Sequence, residues 1–137
     1  MNILSHLNYV HILVAAIAYF AIGSLWFSVI FGKMWVKLNG FGQPSEEDKK
    51  RMPMMFGMTF AYNFITTFAV ACLLYFIMPP NIISAIKAGL LIGVGIVGVP
   101  IALNYMYTKR PFMLTLIDAG YHVVSIIVVS IIFTVWH

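Results

Sequence analysis

FMLTLIDAGYHVVSIIVVSIIFTVW, residues 112–136, holds one acid, Asp118, and no lysine or arginine. Crossing the hydrocarbon layer takes about 20 apolar residues at about 1.5 Å each. The stretch is long enough, and it predicts a transmembrane helix. Just before it stands Thr108-Lys109-Arg110-Pro111, a basic turn that places a proline where a helix starts. Residues 82–107 form another apolar run, which Pro79-Pro80-Asn81 separates from a third at 54–78. A fourth covers 8–31. Four such runs predict an all-α polytopic membrane protein, an up-down bundle of four transmembrane helices forming one domain over residues 1–137. The two tight separators predict that the helices they join are antiparallel neighbours.

Composition points the same way. Of the 137 residues, 62% are apolar and 9% charged, and the mean hydropathy is +0.97. Soluble domains carry about 25% charged residues, so this chain has too little charge to cover a water-facing surface. The net charge of +4 does not predict nucleic-acid binding, because the basic residues sit in short clusters beside apolar runs. Cys72, the only cysteine, excludes an internal disulfide or a CxxC centre and reads as a small packing residue. Residues 1–10 lack the basic region of a signal peptide, so the first run is expected to be a retained helix.

Short loops set orientation through their basic residues. Lys33, Lys37, Lys49, Lys50 and Arg51 in the first loop lie on the same side as Lys109 and Arg110 in the third. The other side has Lys87 alone, one turn inside the third run, where it can snorkel outward. The asymmetry predicts a multi-pass protein of a bacterial inner membrane, with loop 32–53 cytoplasmic and both termini outside. Trp35 and Trp136 suit the two interfacial belts.

Within loop 32–53, residues 39–44 read as a turn. Ser45 with Asp48 reads as a capping box. Glu46 with Lys50 and Glu47 with Arg51 are i,i+4 pairs in the favourable order. A short surface helix is expected there, broken or bent near Pro53, and available to a cytoplasmic partner.

In lipid, helices associate through close backbone approach. The third run offers Ala85, Gly89 and Gly93 at spacing four, and Gly95, Gly98 and Ala102 on an adjoining face. Two small-residue faces predict one partner inside the bundle and one outside it, hence a homo-oligomer. Pro100 predicts a kink.

An ionisable group inside a span is costly and marks a candidate site. Asp118 lies about 9 Å into the last helix, with His122 one turn on and Tyr121 and Ser125 beside it. Asn63, Ser24 and Asn104 have overlapping depths, and the expected cluster is Asp118, His122, Asn63, Tyr121, Ser24 and Asn104. It can fix helix register by hydrogen bonds, or exchange a proton between Asp118 and His122. His11 differs from His122 in depth, and His6 and His137 are near the ends of the chain. No metal site, cofactor or catalytic set is expected.

Gly23-Ser24-Leu25-Trp26-Phe27-Ser28, Phe31-Gly32-Lys33-Met34-Trp35, Arg110-Pro111 and Ala119-Gly120-Tyr121 resemble the signatures of the DUF1761 family of small four-helix bacterial membrane proteins. The resemblance runs along essentially the whole chain. It implies the fold and no established function. The chain departs from the family pattern at Val29, where proline is expected, and at Asp118, where asparagine is common. An asparagine there implies a hydrogen-bonding group rather than a charge. The leading functional reading is an oligomeric scaffold or accessory protein in contact with the lipid bilayer. The alternatives are a proton- or ion-coupled transporter or channel using Asp118 and His122, and a lipid-binding protein or enzyme.

Overall fold

The four apolar runs are four long helices in the computed structural model, which describes residues 2–136. After a 3-10 turn at Ile3–Ser5 come α1 (Tyr9–Leu25), α2 (Gly32–Asn39), α3 (Glu46–Ile77), α4 (Ile82–Leu90), α5 (Val99–Tyr107) and α6 (Phe112–Val135). A π-helical turn at Trp26–Ile30 extends α1, and another at Leu91–Gly98 joins α4 to α5. The helices Tyr9–Ile30, Glu46–Ile77, Ile82–Tyr107 and Phe112–Val135 each contain a stretch long and apolar enough to cross a membrane, which in the second follows the charged residues 46–51.

Side chains in the sequence set where these helices begin. Asn8 caps α1 by accepting from the amides of Val10 and His11 at 3.0 and 3.2 Å. Asn81 caps α4 through Ser84 N–H at 2.9 Å. The Ser45–Asp48 box is formed: Asp48 N–H donates to Ser45 Oγ at 3.1 Å, and Ser45 N–H donates to Asp48 Oδ2 at 3.0 Å. The bond from the Ser45 backbone, then that from its side chain, holds the Asp48 carboxyl below its usual range. A depressed folded pKa means that this contribution is full above the carboxyl's ordinary pKa and is lost as pH falls through the folded one. Ser45→Ala is expected to cost about 1 kcal/mol. Faster amide exchange at Glu47 and Asp48, with none further along α3, would verify it.

Two expectations for the first loop change. Pro53 neither breaks nor ends a helix, because α3 runs unbroken through it. Proline removes one bond, to the Lys49 carbonyl, while the capping box upstream and the long apolar span downstream hold the rest. The ion pair present is Glu46 with Lys49 at 3.7 Å, an exposed contact of little weight. Ahead of the turn, Gly32–Asn39 forms a separate helix, ended by Gly40 at φ 71°, where a glycine fits without strain.

The helix α6 occupies the middle of the bundle. It packs against α1, α3, α4, α5 and the π turn between the last two, while α1 also packs on α3. Antiparallel chain direction therefore does not make every consecutive pair neighbours. Despite the tight Pro79–Asn81 turn, α3 and α4 make little contact, since α4 has its close packing with α6. Gly89 and Gly93 explain that preference. A Cβ on Gly89 would lie 2.8 Å from the Ile127 Cα, and one on Gly93 would lie 3.0 Å from the Val123 Cα. Ala85 is fully buried on the same side.

The second glycine face does not hold together. Gly98 is buried, with Ala119 3.8 Å from where its Cβ would lie, whereas Gly95 has open space. The physical cause is the π turn, in which one extra residue per turn shifts the helical phase. The same turn precedes Pro100, where the wider backbone accommodates the ring, and Val99 N–H reaches back to the Val94 carbonyl.

The core is concentrated at the end away from the basic loops. His11, Ile12, Ala15, Ala16 and Tyr19 of α1 meet Val70, Ala71 and Leu74 of α3 and Ile126 and Val129 of α6. Beyond Tyr19 in α1, before Asn63 in α3 and throughout α5, no described residue is buried. At the basic end burial is carried by Leu114, Thr115 and Ile117 of α6, and around them lies a more open wedge of aromatic and polar side chains.

Candidate functional site

In that wedge, Asp118 projects from the second turn of α6. Trp35 Nε1 donates to its Oδ1 at 3.0 Å, and the Tyr105 hydroxyl donates to its Oδ2. The two donors come from α2 and α5, so one carboxyl joins three elements. Trp35 is placed there because α2 folds back against α6 after the break at Phe31. Its ring also meets the edges of Phe27 and Phe41 at centroid distances of 5.6 and 5.5 Å. A second ring of contacts closes the group: Asn39 Nδ2 donates to the Trp35 carbonyl at 2.8 Å, and Arg110 Nη1 donates to Asn39 Oδ1 at 3.2 Å. The Arg110 guanidinium lies 5.0 Å from the centre of the Tyr105 ring. Thus α2 and α5 are tied to α6, and the turn before α6 is tied to α2.

The residues expected around Asp118 sort into three groups. His122 shares its helix face but hydrogen-bonds through Nδ1 with the buried Tyr19 hydroxyl of α1. The expected Asp118–His122 pair is replaced by three bonds to other helices, two at Asp118 and one at His122. Tyr121 and Asn63 are brought together, the phenol donating to Asn63 Oδ1 at 3.2 Å. Tyr121 also meets the rings of Tyr19 and Phe27 edge-on, at 5.4 and 5.2 Å. Ser24 and Asn104 stay outside. Ser24 is exposed and donates to the Phe20 carbonyl of its own helix at 3.1 Å. Asn104 is exposed, and its neighbour Tyr105 points at Asp118 instead. His137 lies outside the described residues.

The glycines beside the site act through what they admit. A Cβ on Gly23 would lie 2.9 Å from the Tyr121 hydroxyl oxygen and 3.0 Å from its ring. One on Gly120 would lie 3.2 Å from Trp26 Cζ2. Trp26 in turn donates from Nε1 to the Ile117 carbonyl at 2.8 Å, the last residue before Asp118. Gly23→Ala is thus expected to push Tyr121 off Asn63 and lower the melting temperature in detergent more than Gly120→Ala does. Equal melting temperatures for the two variants would contradict this.

Above Asn63 and Tyr121 a polar seam continues. The helices α3 and α6 run parallel, so one turn further along each brings Thr67 and Ser125 to the same level, both fully buried. Their hydroxyls have no hydrogen-bond partner, nor has Asn63 Nδ2. At the far end, a cavity of about 570 Å³ is bounded by His6, His11, Tyr75, Thr134 and Trp136 among others. There His11 stacks on Trp136 at 4.0 Å and lies 3.3 Å from Asn8 Nδ2.

Sequence reading missed Trp35 and Tyr105. Trp35 suits an interfacial belt, but an indole N–H near a membrane acid is also a donor in search of an acceptor. Tyr105 needed the phase shift of the π turn.

The family model described as "Protein of unknown function (DUF1761)" matches residues 10–134. No curated protein and no solved structure matches the chain.

Proposed function

Because the chain belongs to the DUF1761 family, for which no function is known, we propose a role from its own site: a small membrane scaffold or accessory protein that uses Asp118 to fasten an interfacial helix. One observation carries this. Both carboxyl oxygens of Asp118 are engaged, by donors from α2 and α5, and neither donor is a titrating partner at neutral pH. The group is arranged as a fixed acceptor that holds other elements in place. Fastened in this way, α2 and the charged start of α3 present a constant surface beside the bilayer.

The reading includes placement in a bacterial inner membrane with the basic loops in the cytoplasm. Seven basic residues on one side against Lys87 on the other support it. It also includes a homo-oligomer. The third span packs chiefly on α6, and Leu91, Ile96 and Val99 lie exposed beside the open Gly95. These residues offer a second copy a surface that lipid otherwise covers. No catalytic role is proposed.

A second reading, a proton- or ion-coupled transporter or channel, has one observation in its favour. Asn63, Thr67 and Ser125 are buried polar groups with unpaired atoms, and they continue a path from His122 and Tyr121. The test is a flux measurement in proteoliposomes under a pH gradient, with the wild type beside Asp118→Asn. For a scaffold, the two give the same background flux. A wild-type flux that the asparagine abolishes would replace the scaffold with the transporter.

A further inference from the structure

A groove of about 820 Å³ lies between α2 and the start of α3, and it shares Trp35 with the Asp118 site. Trp35 and Val36 of α2, with Phe41 after it, form one wall, and Met52, Met55 and Phe56 of α3 form the other. Most of these side chains are exposed: Met55 and Phe56 are 52% and 57% accessible. Methionine side chains are flexible and polarisable and adapt to an irregular chain. The groove is therefore shaped for something long, apolar and not rigid.

Its polar end narrows the choice. Arg51 lines the groove next to Met52, and it makes no close ion pair among the described residues, although its charge acts on Asp48. Asp48 is the one acid in the lining, and its Oδ2 accepts from the Ser45 amide. The same end of the molecule carries Lys33, Lys37, Lys49, Lys50, Lys109 and Arg110, against four acids, Glu46, Glu47, Asp48 and the hydrogen-bonded Asp118. Along α3 the change from charged Glu46–Arg51 to apolar Met52–Phe56 happens within one turn, as at the boundary between headgroups and acyl chains. An apolar slot capped by a guanidinium without a close ion pair at that boundary matches one ligand class in charge, shape and depth.

The geometry points to a site for one anionic glycerophospholipid, with an acyl chain in the α2–α3 groove and the phosphate on Arg51. This goes beyond the role given to Asp118 but rests on it for one wall, since Trp35 of α2 is held by Asp118, whereas Arg51 and the methionines belong to α3. A guanidinium presents paired N–H donors to phosphate oxygens, which makes the contact directional as well as electrostatic.

The test uses the full chain, purified and stripped of lipid, then offered equal amounts of phosphatidylglycerol and phosphatidylcholine. Native mass spectrometry counts the bound molecules. Phosphatidylglycerol is expected to be preferred about fivefold, the factor that one basic contact near a membrane surface supplies. Arg51→Gln is expected to remove the preference. Lys109→Gln, which loses the same charge outside the groove, should retain it. Met55→Trp, which fills the slot, should lower binding of both lipids while circular dichroism shows an unchanged helix content. Equal binding of the two lipids by the wild type would overturn the site. So would an equal loss in Arg51→Gln and Lys109→Gln, which would reduce the effect to general surface charge.

Discussion

Gly89→Leu is expected to detach the third span from α6 and to lower stability by about 3 kcal/mol, at the upper end of overpacking costs. The size follows from what the new side chain meets. Already a Cβ would lie 2.8 Å from the Ile127 Cα, and a backbone atom cannot rotate away as a flexible side chain can. In lipid the loss is not recovered by apolar burial elsewhere, because exposed leucine is as well solvated by acyl chains as buried leucine. The third span has few other partners, so the damage is concentrated on one interface. Gly95→Ala supplies the contrast. Its Cβ would enter open space, and the substitution is expected to leave the melting temperature unchanged or slightly raised. Thermal unfolding of both variants in the same detergent decides the matter. A Gly89→Leu protein that melts with the wild type would contradict the packing of α4 on α6.

Asp118→Ala is the second large effect, and it should differ in kind. The substitution removes the acceptor for both Trp35 Nε1 and the Tyr105 hydroxyl. The indole and phenol are then left half-buried without their partner, at a cost of about 2 kcal/mol. The four spans should survive, because their core lies towards the other end, in α1, α3 and α6. What should fail is the attachment of α2, whose other tertiary contacts are the rings around Trp35, the exposed Arg110–Asn39 bond and a small contact with α6. Asp118→Asn should be close to neutral. The amide oxygen still accepts from Trp35, and the amide nitrogen donates to the Tyr105 oxygen, which accepts as well as donates.

The membrane spans could be read from the sequence because long apolar runs between prolines and charges have one physical interpretation. The order in which the helices pack could not. In a lipid-facing helix the inner and outer faces are both apolar, so hydropathy does not mark the side that meets α6. Glycine spacing did mark it at Gly89 and Gly93 and failed at Gly98. There the π turn had moved the phase. The site shows the same division. Asp118, His122, Tyr121 and Asn63 were legible because acids, imidazoles and amides are conspicuous in apolar runs. Their partners were not, since the i+4 relation between Asp118 and His122 fixes a shared face and leaves the rotation of each ring to the neighbouring helices. Asn104 in place of Tyr105 is a slip of one position, about 100° around the helix. The helix α2 was hidden because Gly32–Asn39 mixes aromatic and basic residues as an interfacial anchor does.

Hydrogen exchange of residues 32–39, followed by mass spectrometry on the wild type, Asp118→Asn and Asp118→Ala, tests the role of Asp118 most directly. Protection of α2 is expected to match the wild type in the asparagine variant. In the alanine variant it is expected to collapse, with residues 112–135 remaining protected in all three. An α2 that stays protected without the carboxyl, or one released as fully by asparagine as by alanine, would contradict the assignment of Asp118 as the hydrogen-bonding anchor of that helix.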